Sequence, residues 1–469
     1  MVTVSSFGDV DAGFSIIIKL VTILFTMLAL FALALIEVAI DTKRHAKLTL
    51  VKNVTQLCAG IEIWWLLGVG FAFGDVDEGF IGKENFAGED YEIDNFGDTW
   101  FLTCALDGLF GICAVYAING IISERCNHTT YVLLSVLVMG WVYPCVVAWG
   151  WGNGWLNYQV DDMLFRDDSG AGTVHLLAAS MGLVGTLFLG PRHGRFKTHT
   201  VALKINGRTE ERTLEPDEVA GHYSLVYATL GLIMVWAALL AIGGYGGVDP
   251  MHAARGYCNT LVAGCSGGLA ALLIRTCTDR DFGMHFGGIL YGVAAGCISM
   301  AACPLRVDVY EAFFIGLIGG ALYALFEIGV GKCACIDDPL DGLGYHGVCG
   351  AWGLLAAGFF DENEGVFHDG DGSLIGLQLL GMVVIFAWGV FWAILFFGIM
   401  KLTGALRMPQ DVEVLGLEYA DMGWNGYKLK GDGSSGAVEL PVYPKTEVEE
   451  IDIPASDRNL VEGKETEGK

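Results

Sequence analysis

A chain of 469 residues that is 53% hydrophobic and only 17% charged falls well short of the roughly one-quarter charged residues of a soluble domain. Its mean hydropathy of +0.51 points instead to many passes through a bilayer. The formal net charge of −26 lies in loops and the C-terminal tail, so it reads as solvated surface and not as a docking face for a basic partner, and it gives no footprint for nucleic acid. The thirteen cysteines show no paired spacing that would mark a disulfide framework, and Cys333 and Cys335 alone are too few to hold a metal.

In chain order, the residues before Phe14 lack the basic start of a cleaved signal peptide, so the run Phe14 to Ile40 reads as a retained first helix. Further runs approaching the ~20 apolar residues that cross a bilayer lie at Val54–Phe73, Thr99–Ile122, Thr130–Trp149, Gly172–Leu189 and Tyr223–Ile242. Others follow at Tyr257–Ile274, Met284–Ala302, Glu311–Val330, Gly344–Phe360 and Leu374–Leu402, for eleven in all. Lys and Arg concentrate on alternate loops, with Lys43, Arg44, Arg125, Arg192, Arg195, Arg275, Lys332 and Arg407 on one side. The positive-inside rule then puts the N-terminus outside and the C-terminus in the cytoplasm. The expected fold is an all-α integral membrane domain over residues 1–407, followed by a cytoplasmic tail, 408–469.

Two stretches repeat one skeleton. Asp167 stands eight residues before His175, with Gly182-Leu183 beyond; Asp338 stands eight before His346, with Gly353-Leu354 beyond. Each histidine heads an apolar run, in the fifth and tenth helices. Two five-helix halves of opposite topology plus one extra helix would place both histidines at a polar site between the halves.

These segments, with Asn119-Gly120 to Glu124-Arg125, Leu189-Gly190-Pro191-Arg192, Asp337-Asp338-Pro339 and the tail segment Leu415 to Gly423, resemble the ammonium transporter family (Amt/Rh), most closely its eukaryotic Amt branch. The resemblance covers nearly the whole membrane portion. It implies an eleven-helix protomer, a homotrimer and one narrow pore per protomer in the cell membrane, carrying ammonium or ammonia.

A bare ammonium ion in a low-dielectric pore would cost tens of kcal/mol in the idealised limit, and splitting it into ammonia and a proton avoids most of that. Two imidazoles hydrogen-bonded to each other fix one another's tautomers and turn their remaining nitrogens to the lumen. His175 and His346 are the candidate pair. By resemblance, Asp167 is a structural acid beside the outer recruitment site, where it also fits a helix cap, and Asp338 and Asp341 hold the matching inner place.

The outer site departs from the family. Trp151 matches the recruiting tryptophan and Phe110 one gate phenylalanine, but Leu106 replaces the second aromatic of the third helix. Ile242 stands at the second gate phenylalanine and Gly246 at the recruiting serine, with Tyr245 beside it able to supply a hydroxyl or ring. Asp107, an acid inside the third helix, either replaces the lost cation contacts or reaches outside water. Glu311 and Glu327, at helix ends, read as solvated or capping groups.

Glycines such as Gly182, Gly185, Gly347, Gly350 and Gly353 suit close helix packing in lipid. No nucleophile, metal cluster or cofactor motif marks an enzyme. The tail divides into 408–428, similar to the family's regulatory segment and open to cytoplasmic regulators, and a mostly disordered 429–469. Its Glu418 and Met422 replace the motif's Asp and His, and Ala420 stands where some plant relatives carry a threonine, so no phosphorylation switch is expected at that position. An ammonium sensor, or a channel for another small neutral solute, remains as an alternative to transport.

Overall fold

The computed structural model describes residues 7–42, 45–76, 79–88, 100–157, 164–205, 208–216, 224–278, 286–330 and 336–415. Cys333 and Cys335, the tail from Gly416 onward and part of the acidic stretch Asp75–Asp98 lie outside the described residues. The helices follow the apolar runs: α1 Phe7–Ile40, α2 Ala46–Phe73, α3 Trp100–Ile121, α4 His128–Gly150 and α5 Ala171–Leu189. The second set is α6 Leu225–Gly244, α7 Pro250–Thr278, α8 Phe286–Met300, α9 Val309–Val330, α10 Leu343–Phe360 and α11 Ser373–Leu402. Among the described residues, ten of these are long and apolar enough to cross a membrane. The exception is α8, with 15 residues against the ~20 that span a bilayer.

α1, α2 and α7 start well before the apolar runs do, and at α2 and α7 polar pairing replaces apolar burial. The opening turns of α2 bury Lys52 and Asn53, which bond the Glu37 carboxylate of α1. At α7, Pro250 occupies the first turn and the Asp249 carboxylate accepts from the N–H groups of Met251 and His252, both at 2.8 Å, a capped start that an apolar-run search passes over.

The all-α membrane domain carries one element that the apolar runs do not show. An antiparallel hairpin, β1 His199–Ile205 and β2 Arg208–Leu214, lies between α5 and α6. Val201 and Leu214 bury against Val414 of a short helix α12, Gln410–Leu415. The alternation Val201, Leu203, Ile205, followed by Asn206-Gly207, is a hairpin signal too short to register in a search for twenty-residue runs.

The α5 and α10 helices cross where no side chain fits: a Cβ on Gly350 would lie 2.5 Å from the Ala171 carbonyl oxygen. In lipid, where apolar attraction between helices is absent, such backbone contact sets their approach.

One membrane face is closed by a buried ionic hub. Asp337 accepts from the Arg192 backbone N–H, Nε and Nη2 at 2.8, 2.9 and 3.0 Å, while Arg192 also bonds Glu124. The Asp337 carbonyl accepts from Arg125 at 2.5 Å and from Thr186 at 2.9 Å. Burial alone would raise the Asp337 carboxyl, but the Arg192 and Arg125 charges and the bonds from Arg192 hold it well below the ordinary carboxylate range. Its contribution to stability is therefore present above the unfolded value of about 4 and lost only as pH falls well below it. Arg192→Ala should leave the buried Glu124 carboxylate without its cation and Asp337 with only Arg195 and Arg125, and cost about 3–5 kcal/mol, measured by denaturant unfolding of the purified protein; unchanged stability would contradict the hub's role.

Candidate functional site

The two repeated stretches adopt the same local structure. Asp167 Oδ2 accepts from the Gly172 N–H at 3.1 Å, the Thr173 N–H at 2.7 Å and the Thr173 hydroxyl at 2.8 Å. Asp338 Oδ2 accepts from the Leu343 N–H, again five residues on, at 2.7 Å. Three residues after each Asp the backbone turns left-handed, at Gly170 (φ 90°) and Asp341 (φ 55°). Each helix then opens with wide π turns, Ala171–Leu176 and Leu343–Val348, a geometry frequent at functional sites. The carboxylates satisfy N–H groups that a helix start leaves without partners.

Each π turn carries its histidine inward. His175 Nδ1 and His346 Nδ1 lie 2.9 Å apart, with the rings stacked at 4.9 Å between centroids and 15° between planes. Both rings are buried, and His346 Nε2 has no hydrogen-bond partner. They line a narrow, mostly apolar cavity of about 70 Å³, shared with Phe110, Ile242, Tyr291 and Tyr345. One water needs roughly 10–15 Å³ on this scale, so the cavity admits a short file of water-sized molecules.

Beyond Phe110 a wider, polar vestibule opens, lined by Thr103, Asp107, Trp151, Asp167, Asp168 and Tyr245, with Arg166 and Arg306. The Phe110 ring packs edge-on against Trp151 at 6.0 Å and Tyr245 at 5.7 Å, and so stands between vestibule and cavity. Trp151 is fixed by its Nε1–H, which donates to the Asp167 carbonyl at 2.7 Å. Both vestibule arginines are paired, Arg306 with Asp168 and Arg166 with Asp361 and Glu364. Asp107 and Asp167 have no ion pair within 4 Å among the described residues, and the Lys19 ammonium of α1, which donates to the Thr103 hydroxyl at 2.8 Å, offsets part of the Asp107 charge. Burial pushes the Asp167 carboxyl up to about 6, against the opposing pull of the bonds from Thr173 and Gly172.

With this geometry in view, comparison with known proteins is direct. The Ammonium Transporter Family model matches residues 16–427. The chain belongs to the ammonium transporter family. It is 29% identical over 429 residues to putative ammonium transporter 1 member 5 of Arabidopsis thaliana, covering 84% of this chain and 82% of that one. Among solved structures, a protein named Sensor Amt Protein superposes with a TM-score of 0.76 at 23% identity, covering 89% of this chain and all of that one. Saccharomyces cerevisiae Mep2 gives 0.71 at 21%, covering 86% and 89%. The likeness to these structures shows the shared fold.

In this ammonium transporter family member, the structure brings together His175, His346, Phe110 and Ile242 around the cavity, and Trp151, Tyr245, Asp107 and Asp167 around the vestibule. Two candidates lie apart. Leu106 is fully buried in the helix core, and Gly246 is exposed beyond the end of α6, with neither on the vestibule wall. Tyr245, one residue before Gly246, turns its ring inward instead.

Asp338 and Asp341 line a separate cavity at the far mouth with Glu327. Glu311 is the expected capping group, its Oε2 accepting from the Asp308 N–H at 2.8 Å. Glu327 corrects the solvated-or-capping expectation: it is only 8% exposed and its Oε1 has no partner, because α9 packs that face against the start of α10. Sequence reasoning also passed over Thr173, which locks Asp167, and Tyr291, whose buried hydroxyl lacks a partner beside the cavity. A hydroxyl two residues before His175 was a usable signal for the first; Tyr291 had none.

Trp151→Ala should raise the ammonium concentration for half-saturation about tenfold, the scale of a desolvated cation–π contact. The Asp167 charge is present above about pH 6, so in the wild type half-saturation should rise as pH falls through that value, and Asp167→Asn should flatten the step. A titration of ammonium binding against pH checks both.

Proposed function

We propose that this protein is an ammonium transporter that gathers the cation at the Trp151, Tyr245 and Asp107 vestibule, removes a proton there, and passes ammonia and the proton along the His175–His346 line. The observation that carries this reading is the 2.9 Å contact between Nδ1 atoms of two histidines lining a narrow cavity. A neutral pair in that contact has one Nδ1–H donating and one Nδ1 accepting. One Nε2 therefore accepts from the lumen and the other donates to it. Moving a proton through the pair exchanges the two tautomers, so ammonia and a proton can share one path without a bare cation in the apolar cavity.

The vestibule supports ammonium as substrate despite the family's missing serine and second phenylalanine. Tyr245 brings a ring against Phe110, and Asp107 adds a carboxylate on the same wall. This weighs against a channel for an uncharged solute, which has no use for a negative mouth. The wider assembly follows the family: eleven spans in two inverted five-helix halves plus one, with α8 as the eighth, and a homotrimer with a pore in each protomer. The basic loops face the cytoplasm and the N-terminus lies outside, with the segment from 408 available to regulators.

A sensor that binds ammonium and conducts little is the second reading, raised by the superposition on the protein named Sensor Amt Protein. Purified protein in liposomes separates the two: transport predicts ammonium-driven flux that saturates and is absent with potassium at the same gradient. Tight ammonium binding without flux would support the sensor.

A further inference from the structure

Lys19 lies inside α1, within the stretch long and apolar enough to cross a membrane. A lysine so placed ordinarily runs its stem along the helix and keeps its ammonium in water. Here the side chain is half-buried and turns sideways, and its Nζ donates to the Thr103 hydroxyl of α3 at 2.8 Å. Thr103 and Asp107 stand four residues apart on the same face of α3, and both line the vestibule. The Asp107 carboxylate, on a residue only 3% exposed, is attracted by the Lys19 charge. One turn further along α1, the Thr22 hydroxyl donates to the Ala241 carbonyl at 3.4 Å, which sets this level of α1 against the end of α6, where Ile242 and Tyr245 follow.

The vestibule arginines are committed to carboxylates, Arg306 to Asp168 and Arg166 to Asp361 and Glu364. Lys19 is held differently, by a neutral hydroxyl, while Asp107 acts on it through the field. A flexible aliphatic stem ending in a rotatable ammonium leaves such a place at little cost, because it gives up a hydrogen bond to a neutral oxygen and regains rotamer freedom. What it leaves behind is a hydroxyl oxygen and a carboxylate on one helix face, acceptors that suit an ammonium ion. A primary ammonium and the free ion differ by one N–H donor. The chain therefore presents its own copy of the substrate to the substrate's acceptors.

We propose that Lys19 is a tethered competitor for ammonium: its side chain occupies the Thr103–Asp107 face of the empty vestibule, and arriving ammonium displaces it. This rests on the vestibule being the place that gathers the cation. Lys19 is then an affinity-setting residue that acts through Thr103 and Asp107, and not a catalytic one. Its use is in release. A site for a permeant cation must attract it enough to fill and still let it go. A rival cation on a tether weakens the hold of the carboxylate by competing for the same acceptors and by repelling the ion that replaces it. It also returns to the face when the ammonium moves on, so the buried carboxylate is not left uncompensated between cycles.

The test compares ammonium binding to purified protein with ammonium flux into liposomes, at constant ionic strength, for wild type, Lys19→Met and Lys19→Gln, each checked for folding by thermal unfolding. Half-saturating ammonium should fall about tenfold in both variants, the scale of one charge-assisted hydrogen bond. The gain should shrink when Asp107→Asn removes the contested carboxylate. Lys19→Gln, which keeps a donor for Thr103, carries the comparison if Lys19→Met does not fold. A lysine that only props α1 against α3 predicts the reverse, weaker binding in Lys19→Met that Lys19→Gln restores. That pattern, an unchanged half-saturation in the folded variants, or an equal gain with and without Asp107 would overturn the proposal. Tighter binding in the variants with no flux in any of the proteins would overturn transport and uphold the tethered competitor, whereas no ammonium binding in any of them would overturn it together with the vestibule reading.

Discussion

The contact between His175 and His346 is possible only because two distant stretches of chain are built alike and forced together. A carboxylate, at Asp167 or Asp338, ties down the N–H groups at each helix start. A left-handed residue follows, and the wide turn after it rotates each imidazole off its helix and toward the other. Gly350 lets the two helix starts touch through backbone. Two neutral rings, each fixing the other's tautomer, give an apolar passage a pair of hydrogen-bonding sites without a fixed charge. That is the physical condition for admitting ammonia where ammonium would pay the full cost of desolvation.

The two mouths solve different problems. At the vestibule, arginines are consumed by Asp168, Asp361 and Glu364, so beside the Trp151 and Tyr245 rings the carboxylates of Asp107 and Asp167 face only the Lys19 ammonium. The opposite face is dominated by the Arg192, Glu124, Asp337 and Arg125 hub, whose pairing leaves little for a ligand. Next to that hub, however, the Glu327 group keeps orphan oxygens.

Much of this was legible in the sequence. Helix positions followed from apolar length, and the histidine pair from a spacing repeated in two segments more than a hundred residues apart. The misses have physical causes. The hairpin at His199–Leu214 carries a period of two in a window too short for a membrane search. The early starts of α2 and α7 are stabilised by Lys52, Asn53 and Asp249, whose polarity lowers hydropathy even as they extend the helix. At the vestibule, the sequence offered Leu106, Asp107, Tyr245 and Gly246 alike, and only the fold separates Asp107 and Tyr245 on the wall from the other two off it. Glu327 looked like a helix-end group because sequence gives its distance from the helix terminus but not which face of α9 is covered by α10.

The central claim is that both substrate and proton depend on the paired imidazoles. The most direct measurement is the current from purified protein in proteoliposomes after an ammonium jump, with wild type beside His175→Ala and His346→Ala. The account predicts a saturating wild-type current that each variant abolishes or uncouples from proton movement. An undiminished, equally proton-coupled current in both variants would contradict it.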